Sequence, residues 1–86
     1  MTDPHVHYLR DLGPLLRDLA LKARDSAAAL PNDENAQGQV FAYYEVLTLL
    51  LDQAIAFGLS PADIGLGGFD PETELLISRT TRGPAR

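Results

Sequence analysis

Few residues in this 86-residue chain could do chemistry, and their spacing argues against a reaction centre. His5 and His7 are the two histidines, and neutral imidazole is a common ligand for zinc or copper. They stand two apart near the start of the sequence, without a third ligand set beside them, so no metal or other cofactor is expected. Glu45 and Asp52 lie seven apart and hence on one helix face, the placement from which carboxylate metal sites in helical bundles are made. Such sites also draw imidazoles from Glu-x-x-His pairs, and residues 34–57 hold no histidine, so these acids read as a solvated strip. Gly65-Leu66-Gly67-Gly68 resembles a fragment of a phosphate-cradling loop, but that loop needs a strand before it and a full helix after it. Neither neighbour is indicated, and the glycines read as a helix stop and a turn. Ser26, Ser60 and Ser78 have no histidine close in sequence, and Ser60 is better explained as a helix cap. The expectation is a protein that is not an enzyme.

The most informative local feature is Tyr43-Tyr44. Adjacent helical residues point about 100° apart, so both rings cannot face one neighbouring helix. Tyr44 falls with Val40, Leu47, Leu51, Ala54 and Ile55 on the expected core face of a helix spanning 34–57. Tyr43 falls on its flank with Val46, Leu50 and Phe57, where a phenol offers apolar area and a polar edge, as interface residues often do. These four form the candidate partner interface. Packing of the same flank against the C-terminal segment is the open alternative.

The elements that position this flank follow from periodicity and punctuation. Arg10-Asp11, Arg17-Asp18 and Arg24-Asp25 recur every seven residues, two helical turns. That repeat puts Leu9, Leu12, Leu16, Leu19, Ala23, Ala27 and Leu30 on one apolar stripe and the Arg-Asp pairs on the opposite, solvated face. Pro14 removes a backbone hydrogen bond and crowds the Arg10 carbonyl. The repeat stays in phase across it, which favours one kinked helix over two short ones. Pro31 ends that helix near Ala29, and Asn32 or Asp33 caps the next. Gly58 then stops the second helix in the left-handed region. Its polar strip of Glu45, Thr48, Asp52 and Gln53 is so narrow that burial on several sides is expected. Ser60-Pro61-Ala62-Asp63 is a capping box with proline at the first helical position, and Leu59 and Ile64 form its hydrophobic staple. The glycines that follow allow one turn only, after which Leu66 and Phe69 tuck against the hairpin or roof a small pocket. Asp70-Pro71-Glu72 opens a last short helix through Ile77.

The fold class expected is therefore all-α: an antiparallel helical hairpin with one or two short C-terminal turns, completed as a dimeric four-helix bundle. Residues 1–78 form one helical domain, and 79–86 a disordered basic tail. Hydrophobic residues make up 45% of a chain too short for two cores. A hairpin of this size tends to need a staple, and the absence of cysteine leaves a second subunit as the available one. No cysteine and no secretory signal point to the cytoplasm. Residues 31–78 carry eight acids and no Lys or Arg. That balance disfavours nucleic acid, which is bound through a basic footprint, and would suit a basic protein partner. No membrane span is indicated, and no membrane partner.

Ala42-Tyr43-Tyr44-Glu45-Val46-Leu47, Gln53-Ala54, Phe57-Gly58-Leu59, Gly65-Leu66 and Phe69-Asp70-Pro71-Glu72 together resemble a pattern found in small uncharacterised all-helical bacterial proteins, over residues 38–76. The resemblance implies a helical hairpin and carries no functional residues. The leading functional expectation is a homodimeric protein–protein interaction module. The second is an acidic immunity or antitoxin-type inhibitor that covers a basic surface on a toxin or nuclease, an association of type alone.

Overall fold

The structure, a computed structural model, describes residues 4–77. Two long helices, α1 (Pro4–Ala29) and α2 (Glu34–Ala56), pack side by side as a hairpin. A 3-10 turn (Pro61–Ile64) then crosses back mainly onto α1, and a π-helical turn (Glu72–Ile77) lies mainly on α2. The described residues are helical or loop, with no strand among them. The tail at 79–86, and with it Ser78, lies outside the described residues.

Local chemistry sets the boundaries where the sequence placed them. α1 passes through Pro14 without a break. Its C-terminal carbonyls are closed by the Gln37 side chain, whose Nε2 donates to the Ala27 carbonyl at 3.0 Å and the Leu30 carbonyl at 3.3 Å. Asp33, with extended backbone, caps α2 by accepting from the amides of Asn35 at 2.9 Å and Ala36 at 3.2 Å. Gly58 takes φ +78° just past the α2 end, where a side chain would be strained. The Ser60 capping box is complete: the Asp63 carboxylate accepts from the Ser60 amide at 2.8 Å, and Ser60 Oγ accepts from the Asp63 amide at 3.2 Å. Those bonds to the ionised form, the backbone one first, hold the Asp63 carboxyl below its ordinary value of 3.8, with the nearby Arg10 adding to the effect.

The core is narrow. Ala20 and Ala27 of α1 and Val40, Leu47 and Ala54 of α2, each set spaced by seven, are buried between the helices, and Gly13, seven before Ala20, is buried under the 3-10 turn. Small residues on α1 let the two helices approach. Ile64, Leu66 and Leu75 from the C-terminal segment fill the groove on one side of the hairpin and are fully buried. Leu66 is thus core packing, not the roof of a ligand pocket, and Phe69 packs half-buried beside it.

This one-sided cover shifts the buried arc of both helices away from the expected stripes. Leu19 and Leu30 are half exposed, whereas Ala20, off the expected stripe, is sealed. On α2, Ile55 is 64% exposed rather than in the core. The Arg-Asp pairs do not share a solvated face either. Asp11, Asp18 and Asp25 are exposed, while Arg17 and Arg24 are half-buried. Arg24 Nη1 donates to the Glu74 carbonyl at 3.2 Å and lies 3.7 Å from its carboxylate. Arg10 Nε reaches the Asp63 carbonyl at 3.5 Å, the long limit of such a bond. Two arginines of the repeat therefore reach the two C-terminal turns, and Arg17 between them pairs with its neighbour Asp18 at 3.2 Å.

The Gly13-Pro14 step is where the 3-10 turn docks. A Cβ on Gly13 would overlap the Ile64 carbonyl oxygen and come 3.2 Å from Leu66 Cγ. Gly65, at φ +75°, sits so close that its own Cβ would lie 2.5 Å from the Arg10 carbonyl oxygen and 2.6 Å from Pro14 Cδ. That carbonyl is the one Pro14 leaves without its helical donor.

Candidate interaction face

Among the described residues, the C-terminal segment covers one side of the hairpin and, apart from Leu59 and Ile64 at one end, leaves the other open. On the covered side, Tyr44, Thr48, Leu51 and Asp52 of α2 border a crevice of about 220 Å³ with Asp70, Pro71 and Glu72. Tyr44 is fixed there by Phe41, their ring centroids 5.7 Å apart.

On the open side, each helix presents residues in a strict 3-4 alternation. α1 contributes Leu9, Leu12, Leu16, Leu19, Ala23 and Ser26; α2 contributes Gln39, Tyr43, Val46, Leu50 and Gln53, and Phe57 at its C-cap continues the row. Such spacing generates a seam in bundles and coiled coils, because it keeps one face turned toward a partner helix. All four candidate interface residues lie in the α2 row. Tyr43 and Leu50 are half-buried by the single chain, Val46 is 48% exposed and Phe57 77% exposed. Leu15, Tyr8 and Leu49 broaden the exposed apolar band at its edges. Neither helix places a Lys, Arg, Asp or Glu in these two rows, and Lys22 stands at the margin.

Hollows between the two helices indent the face toward each end of the hairpin. The first, about 200 Å³, is bounded by Leu19, Lys22, Ala23 and Ser26 of α1 and by Gln39 and Tyr43 of α2. The second, about 160 Å³ and almost wholly apolar, lies between Leu9, Leu50, Ala54 and Phe57, with Leu59 and Ile64 behind. Each is about the size of one large side chain.

The molecule is elongated and thin. Its Cα radius of gyration is 14.3 Å and its extents are 51 × 20 × 15 Å, where a compact chain of this length has a radius near 12 Å. The 15 Å dimension is that of a single layer of helices with partial cover.

The α1 half of the face is what the repeat obscured. The seven-residue period puts Leu19 on the apolar stripe with Ala23 and Ala27, yet it is 48% exposed and borders Leu15 on the outer surface. The available signal was the 3-4 alternation itself, which runs past the core positions and off the covered side.

The residues weighed for catalysis or metal binding are not gathered. His5, His7, Ser26, Glu45 and Asp52 are exposed, and Ser60 is engaged as a cap. Among the described residues, no group of three His, Asp or Glu could hold a metal ion. No helix among them is long and apolar enough to cross a membrane. No family model matches the chain, and no curated protein or solved structure matches it either.

Proposed function

We propose that this protein is a non-enzymatic protein–protein interaction module that acts as a homodimer, two hairpins closing into a four-helix bundle across the open face. The observation that carries this reading is the pair of uncharged 3-4 rows, which put Tyr43, Val46, Leu50 and Phe57 beside Leu12, Leu16 and Leu19 on the side the described residues leave largely uncovered. Charge depletion together with Tyr and Phe is the composition of interface cores. Burying a large apolar side chain contributes about 1.5–3 kcal/mol, so a few residues per copy can offset the cost of association.

Light scattering on the eluted protein tests it. The wild type is expected to run as a dimer at high micromolar concentration, and Leu50→Asp as a monomer. Phe57→Ser is the companion variant, because Phe57 is 77% exposed and its loss removes little packing from the single chain. Both variants should keep the helical circular-dichroism signal. A wild type that stays monomeric, or a dimer indifferent to both substitutions, would sink the proposal.

The covered side supports a second reading, an acidic inhibitor of the immunity or antitoxin type. Asp52, Asp70 and Glu72 border one crevice with the Tyr44 and Thr48 side chains, which would suit a lysine or arginine of a basic partner. Attraction of this kind is screened within about 8–10 Å at physiological salt. A partner whose affinity did not weaken with added salt would count against this reading.

A further inference from the structure

We draw no further inference here: the strongest candidate, the largely uncovered apolar face along Leu12, Leu16 and Leu19 of α1 and Tyr43, Val46 and Leu50 of α2, carries nothing beyond the interaction reading already given, because nothing in the structure shows what covers it or in which orientation.

Discussion

Gly13→Ala is the substitution that most sharply probes how the C-terminal segment is held. In an exposed helix interior, replacing glycine by alanine stabilises by about 0.8–1 kcal/mol through backbone entropy. At Gly13 the same methyl group would overlap the Ile64 carbonyl oxygen and crowd Leu66 Cγ. Backbone cannot swing aside as a flexible side chain does, so the 3-10 turn must lift from α1. Ile64 and Leu66, 1% and 0% exposed, would lose part of their burial, and a fully buried side chain of that size is worth about 1.5–3 kcal/mol. Losing about half of each, against the entropic gain, gives a net destabilisation of about 1–2 kcal/mol. For a domain of this size that lowers Tm by roughly 4–16 °C, at about 4–8 °C per kcal/mol. Gly38→Ala is the internal control, because a Cβ there meets nothing within 4 Å, and it is expected to raise Tm by about 4–8 °C. Thermal unfolding followed by far-UV circular dichroism, at one fixed protein concentration, compares the two. If Gly13→Ala stabilises the protein as Gly38→Ala does, the turn is not seated on α1 and the one-sided cover of the hairpin falls with it.

Two further outcomes follow from the arginine row and the capping box. Arg24→Met removes a charged hydrogen bond to the Glu74 carbonyl and is expected to cost about 1–2 kcal/mol in denaturant unfolding. Arg17→Met, which loses an ion pair to an adjacent exposed Asp18, should change stability by less than about 0.5 kcal/mol; equal effects would refute a holding role for the Arg24–Glu74 contact. Asp63, held below its ordinary 3.8 by the Ser60 bonds, contributes stability that is fully present above that value and is lost as pH falls through the lowered one. Wild-type Tm should therefore decline more steeply than that of Asp63→Asn as pH drops below about 4, and parallel profiles would remove Asp63 from the account.

Much of the local architecture was legible because it depends on neighbours in sequence. A proline before which the helical region is disfavoured, an aspartate with free amides two and three residues on, a glycine that accepts positive φ and a Ser-x-x-Asp box act within one or two turns, whatever the rest of the chain does. Accordingly the α1 end, the Asp33 cap, Gly58 and the Ser60 box all lie where their residue types put them. The heptad period likewise established two long amphipathic helices. It could not establish which face of each looks inward, because every residue of a broadly apolar helix satisfies the period about equally well. That was decided by where the C-terminal segment lands. Gly13-Pro14 reads as a defect within α1 and becomes a docking notch only once Ile64 and Gly65 are against it. Its occupation turns Arg10 and Arg24 toward the covered side, brings Ala20 to the centre of the core and moves Leu19 out. The sequence alone thus determined a helical hairpin with a flank at Tyr43, Val46, Leu50 and Phe57. Only tertiary packing decided that, among the described residues, most of the cover falls on the other side of the hairpin, with Leu59 and Ile64 reaching the Leu50–Phe57 end of this flank, since burial of a helix face is a property of what reaches it and not of the helix.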